Sequence, residues 1–275
     1  MAQKRILYVT PEIFPYLPES YISHICRFLP QGIQERENEI RTFMPKFGCI
    51  NERKNQLHEV IRLSGQNIIV DNSDHPLIIK VASLQVVRMQ IYFIDSMDYF
   101  KRKQLYYDAE ENFFADNDER MIFFAKGVIE TVRKLGWAPD IIHCHGWITS
   151  LVPLFIKTCY KDNPLFQDTR IVYSAYNDEF PGTLDANFAK KLTGTGIDEP
   201  FAAGLETPDY NALMRKAAEF SDAFVIGHAD VTPQVRADLE NYPRTVFTHP
   251  QDDETFVDAY NTFYDDLMTK KPITF

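Results

Sequence analysis

Short apolar runs alternate with amphipathic stretches along most of this chain, and that alternation constrains the fold more than any other feature. Residues 5–10, 39–44, 140–144, 169–174, 223–227 and 244–248 have the length and composition of buried strands. Residues 19–35, a stretch from Asp116 or Asp118 to Leu135, the residues from Trp147 onward, and residues 209–220, 231–240 and 252–268 read as helices. Strands that alternate with helices pair in parallel through helical crossovers, which cover both faces of the sheet. The expected fold is α/β: a Rossmann-like parallel sheet with helices on both faces. No internal repeat, low-complexity tract or Gly/Ser-rich linker interrupts the pattern, so residues 1–275 are expected to form a single domain.

Individual residues sharpen the pattern. Ile22, Ile25, Leu29 and Ile33 share one helix face, and Pro30 is predicted to kink or break that helix. Met121, Phe124, Val128, Val132 and Leu135 form the buried stripe of the helix capped by Asp116 or Asp118. Phe256, Tyr260, Phe263 and Leu267 give the last helix an apolar stripe that should dock on the sheet core.

Three regions depart from the alternation. Residues 67–95 are strand-like, with runs at 68–70, 77–81 and 86–94, and read as hairpin strands inserted into the α/β core. Residues 96–115 are rich in Tyr and Phe and read as a loop packed on the core. Residues 175–206 carry Gly182, Gly194, Gly196 and Gly204 and read as a long loop, functional or mobile.

One segment carries the candidate site. The apolar run ending at Cys144 is a strand, and a helix starts near Trp147. His145 and Gly146 therefore fall at the carboxyl end of a strand, where open parallel sheets bind ligands. His143 reads as a satisfied histidine of the strand interior, and Trp147 as core.

Net charge is −10, which argues against a nucleic-acid partner or an anionic membrane surface. Cys26, Cys49, Cys144 and Cys159 show no metal-ligand or redox spacing. Reduced thiols in a cytoplasmic protein are the simplest reading. No run is apolar for long enough to be a membrane span or signal peptide. No cofactor or metal is expected, and no nucleophile motif is present.

The segment Ile141-Ile142-His143-Cys144-His145-Gly146-Trp147-Ile148-Thr149 resembles the His-x-His-Asp-Trp-His-Thr segment of bacterial glycogen synthases and plant starch synthases. Residues 5–15 are similar to that family's first strand and following turn. Residues 118–126 resemble its central helix, and residues 210–235 its later helix–strand–helix unit. The resemblance covers roughly residues 4 to 240. It implies the N-terminal domain of a two-domain glycosyltransferase that moves glucose from a nucleotide sugar to an α-glucan. It also implies that the family's C-terminal nucleotide-binding domain is absent from this chain.

The family's site words are altered here. Its Lys-x-Gly-Gly-Leu loop, whose glycines let backbone approach the donor phosphates, matches Tyr16-Leu17-Pro18-Glu19-Ser20-Tyr21, which has neither Lys nor Gly. The family's Asp is Gly146 and its second His is Ile148. Its Thr-x-His-Asn reads Ser174-Ala175-Tyr176-Asn177. The resemblance leaves Glu12, His145 and Asn177 as vestigial substrate-binding candidates, and no catalytic residue. For His145 the alternative is a strand-end histidine bonded within the fold, and for Glu12 a turn carboxylate.

The expected function is a glycogen/starch synthase-like protein, inactive alone, acting as a binding or scaffold protein. The alternative is a glucosyltransferase using ADP- or UDP-glucose, weak or dependent on a partner chain. Tyr16, Leu17, Tyr21, Ile148 and Tyr176 make the strand-end face more apolar than the family's. A protein partner or self-association is expected there, besides an α-glucan or nucleotide sugar.

Overall fold

The computed structural model describes residues 3–84, 87–250, 252 and 254–275. Val86 and Asp253, within two of the predicted elements, lie outside the described residues. The strands are β1 (Arg5–Val9), β2 (Glu39–Pro45), β3 (His58–Glu59), β4 (Gln66–Val70), β5 (Ser73–Leu84), β6 (Met89–Asp95), β7 (Ile141–His145), β8 (Arg170–Ala175), β9 (Ala223–Ile226) and β10 (Thr245–Thr248). The helices are α1 (Tyr21–Glu35), α2 (Asn117–Leu135), α3 (Leu151–Lys157), α4 (Phe188–Thr193), α5 (Glu199–Ala202), α6 (Tyr210–Glu219), α7 (Pro233–Leu239) and α8 (Phe256–Met268). A 3₁₀ turn, Trp147–Thr149, leads into α3.

Strand order is β10-β9-β8-β7-β1-β2-β6-β5-β3, with β4 paired to β5. The strands from β10 to β6 pair in parallel. The predicted hairpin insertion is present: β5 is antiparallel to β6, and β3 and β4 are antiparallel to β5.

Strand alternation sorts the side chains between two cores. Ile6, Tyr8, Ile141, Val172 and Val225 meet Ile25, Leu29 and Ile33 of α1 and the apolar stripe of α8. Leu7, Val9, Ile142, Cys144 and Tyr173 face the other core, which includes Met121, Phe124 and Val128 of α2. The α8 stripe docks as expected, with Phe256, Tyr260, Phe263, Tyr264 and Leu267 buried. Each such side chain contributes roughly 1.5–3 kcal/mol of burial. Gly32 of α1 permits this close approach, because a Cβ there would lie 2.6 Å from a methyl of Val257.

Three local expectations are corrected. α1 runs through Pro30 to Glu35 as one helix, so Pro30 does not break it. The missing N–H costs roughly 3 kcal/mol, and the buried apolar face offsets it. Asp116 occupies the N-cap position of α2 but makes no cap bond; its carboxylate grips the Arg102 guanidinium instead. Residues 175–206 contain α4 and α5 and bury Phe180, Leu184, Phe188, Leu192 and Leu205. Lys191 of α4 lies 2.8 Å from both Asp118 and Glu119 of α2. The segment is thus packed on α2, and glycine content alone misread it.

Candidate functional site

The carboxyl ends of β1, β7, β8, β9 and β10 converge on one edge of the sheet. Glu12 follows β1, His145 ends β7, Tyr176 and Asn177 follow β8, His228 follows β9, and His249 follows β10. The fold therefore brings all three predicted residues, Glu12, His145 and Asn177, to the same edge. They differ sharply in what they touch.

His145 is fully buried, on the face of the sheet covered by α1 and α8. Its Nδ1 is 2.7 Å from the Tyr176 hydroxyl, and the two rings stack at 6.0 Å between centroids. Its Nε2 is buried without a protein partner. Burial holds the imidazole neutral, its pKa driven down to about 3.

His143 lies one pleat away, its ring centroid 4.0 Å from that of His145. It bonds the Tyr264 hydroxyl through Nδ1 at 2.6 Å and Ser174 Oγ through Nε2 at 2.7 Å. It is the satisfied strand histidine that the sequence suggests. His249 pairs in the same way with Tyr260, 3.1 Å from Nδ1. Tyrosines of α8 thus seal two of the histidines from within the chain.

Glu12 is half-buried, and its Oε1 accepts a 2.6 Å hydrogen bond from Ser20 Oγ. Ser20 in turn caps α1, accepting from Ser23 N–H in a reciprocal capping box. Burial raises the Glu12 carboxyl above the usual range, and the charge of Asp178 adds to the rise. Asn177 is exposed.

Asp178 is the residue that the sequence reading missed. Its Oδ2 accepts the Trp147 backbone N–H at 2.9 Å, and its Oδ1 accepts the Tyr210 hydroxyl at 3.0 Å. Burial raises its pKa despite these donors. It ties the β8 loop to the β7–α3 turn and to α6. Gly146, with φ of 72°, makes room for it. His228 and His249 were also missed, although each stands just past a predicted strand, the signal that singled out His145. Asp178 had no such signal, because its role comes from the contact with Gly146.

The apolar strand-end surface expected from the sequence is not an open one. Tyr16, Leu17, Ile148 and Tyr176 are all buried, and Tyr21 alone of the five is exposed, at 38%. Tyr16 packs edge-on against Phe93 at 5.0 Å, and Tyr21 edge-on against His228 at 4.5 Å. Tyr16 and Tyr176 are thus packed within the chain itself. Trp147 is core, packed against Tyr106, Phe113 and Phe180. The guanidinium of Arg120, whose charge reaches Tyr106, is itself fully buried among Phe47, Phe100, Tyr106 and Phe114. Among the described residues no cluster of His, Cys, Asp or Glu could hold a metal ion. No helix there is long and apolar enough to cross a membrane.

Residues 5–227 match the family of starch synthase catalytic domains. The chain belongs to that family. A glycogen synthase of Chlorobium phaeobacteroides is 39% identical over 238 residues, covering 86% of this chain and 48% of the relative. A glycogen synthase of Chlorobaculum tepidum is 34% identical over 249 residues, covering 90% of this chain and 48% of the relative. The chain thus spans about half the length of the curated relatives it matches. The catalytic domain of starch synthase IV from Arabidopsis thaliana, bound to ADP and acarbose, shares the fold with a TM-score of 0.71 at 16% identity. That match covers 90% of this chain and 51% of the plant domain. The Rossmann-like α/β reading and the glycogen/starch synthase-like membership both hold.

Proposed function

We propose that this chain is a binding or scaffold member of the glycogen/starch synthase family, with residues 1–275 acting as one domain that does not transfer glucose by itself. One observation supports the proposal: the chain's own packing buries the side chains that stand where the resemblance places the family's phosphate loop. Tyr16 and Leu17 are buried there, and Pro18 offers no N–H. A nucleotide diphosphate needs backbone donors and cations. The carboxyls of Glu12 and Asp178 also stand at this edge, and negative charge there would disfavour an anion.

His145 supports the same reading. A sugar contact would need a reachable ring nitrogen, yet Nδ1 is engaged by Tyr176 and Nε2 is buried. The exposed Asn177 and half-buried Glu12 are the polar groups left to meet an α-glucan. The deciding experiment pairs a glucose-transfer assay, with ADP-glucose or UDP-glucose and glycogen, with affinity electrophoresis through glycogen. The proposal expects no transfer above the protein-free blank. Transfer abolished by Glu12→Gln would instead establish the glucosyltransferase alternative.

A further inference from the structure

At the opposite edge of the sheet, two adjoining pockets share Pro243 and Arg244. The first, about 390 Å³, lies between α6, α7 and β9 and is walled by Met214, Phe224, Val235, Leu239 and Tyr242. The second, about 340 Å³, is lined by Arg244, Lys270 and Lys271 among others. Both volumes fall near the lower end of the range for small-molecule sites.

The charges in these pockets are unequally satisfied. Each carboxylate has a cation: Asp222 is 3.2 Å from Lys157, Asp238 is 3.3 Å from Arg215, and Glu219 is 2.7 Å from Lys216. Among the described residues, Arg244, Lys270 and Lys271 make no ion pair. Arg244 donates through Nη1 to the carbonyls of Ala218, Glu219 and Ser221, and its guanidinium lies 5.6 Å from the Tyr242 ring centroid, which fixes the side chain without neutralising its charge. Among the described residues the Lys270 ammonium donates to the neutral Thr245 hydroxyl. Arg170 nearby donates to the carbonyls of Asp168, Met268 and Lys270 rather than to a carboxylate. A chain of net charge −10 therefore places three unpaired cations beside an apolar groove. A pre-oriented guanidinium flanked by ammonium groups fits a phosphate dianion.

We propose that this double pocket binds a phosphomonoester with an apolar or aromatic body. The phosphate would lie against Arg244, Lys270 and Lys271, and the body against Phe224, Leu239 and Tyr242. The site stands at the amino ends of β9 and β10, away from the carboxyl ends of the strands, so its occupancy can be measured apart from glucose transfer.

Calorimetry of the full chain with phenyl phosphate, inorganic phosphate and phenol tests it. Phenyl phosphate should bind saturably and roughly tenfold or more tightly than either fragment. The Lys270→Ala/Lys271→Ala variant, altered only at exposed side chains, should weaken both phosphates by roughly tenfold or more. Absence of saturable heat with phenyl phosphate would overturn the proposal. So would equal affinity for inorganic and phenyl phosphate, or unchanged affinity in the double variant.

Discussion

A methyl group on Gly146 would lie 2.7 Å from Asp178 Oδ2, closer than side-chain carbons approach one another's neighbours in folded proteins. The same carboxylate holds the backbone N–H of Trp147, the next residue. Gly146 is also in the left-handed region, at φ of 72°. The absence of a side chain at position 146 is therefore what lets the Asp178 carboxylate reach the Trp147 N–H. The pair knits the turn after β7 to the loop after β8.

Gly146→Ala should cost about 2–4 kcal/mol, combining left-handed strain with the Asp178 clash. Gly65→Ala provides the control, since Gly65 has φ of 81° but nothing within 4 Å of its Cβ position. It should cost only about 1 kcal/mol. Urea denaturation of both variants checks this, and equal costs would show that the clash with Asp178 is unimportant.

Lys191→Ala should destabilise the fold by roughly 3–5 kcal/mol, because it strands the buried Asp118 carboxylate. Lys191→Ala/Asp118→Ala should recover a large part of that loss. The double-mutant cycle, read by chemical denaturation, also tests the docking of residues 175–206 on α2. Additive losses would mean the ion pair is not coupled.

Tyr264→Phe removes the hydroxyl that lies 2.6 Å from His143 Nδ1 and 3.3 Å from the Tyr8 hydroxyl. The expected loss is about 1–3 kcal/mol, since a buried imidazole nitrogen loses its partner. Hydrogen exchange should show α8 opening more readily than in the parent chain, while β2 and β6 keep their protection.

Acid should unfold this protein through its histidines. The folded pKa of His145, about 3, lies below its unfolded value of roughly 6.5. The unfolded chain thus binds the extra proton between those limits. Stability from this group is fully present above pH ~6.5 and is lost as pH falls toward ~3, at up to about 1.4 kcal/mol per pH unit. His143, also depressed by burial, adds to the loss. The raised carboxyls of Glu12 and Asp178 act in the opposite sense, losing stability as pH rises through their folded pKa values. Comparing His145→Gln with the parent between pH 4 and 7 isolates the histidine, and the variant's curve should be flatter by about one proton. Parallel curves would contradict the burial of a neutral His145.

Much of the architecture was legible because strands and helices here obey their own periodicities. The alternating faces of β1, β7 and β8 lie where the apolar pattern put them, and the α8 stripe docked as its spacing implied. Pro30 and residues 175–206 misled because local signals were outweighed by packing: an apolar helix face in one case, and Phe188, Leu192 and the Lys191–Asp118 pair in the other. At the site, position along a strand located His145 but could not show that Tyr176, 31 positions away, closes over it. The neighbouring His143 is closed from still farther along the chain, by Tyr264 of α8. Asp178 was illegible for a similar reason, because its importance lies in the space beside Gly146.

The central proposal is that the strand-end edge of this chain, where Tyr16, Leu17 and Tyr176 are buried, takes no nucleotide sugar. Calorimetric titration of the purified chain with ADP-glucose tests it most directly. The account predicts no saturable heat at millimolar ADP-glucose, and the same flat trace for Glu12→Gln. Saturable binding in the parent chain, weakened by Glu12→Gln or by His145→Ala, would contradict it.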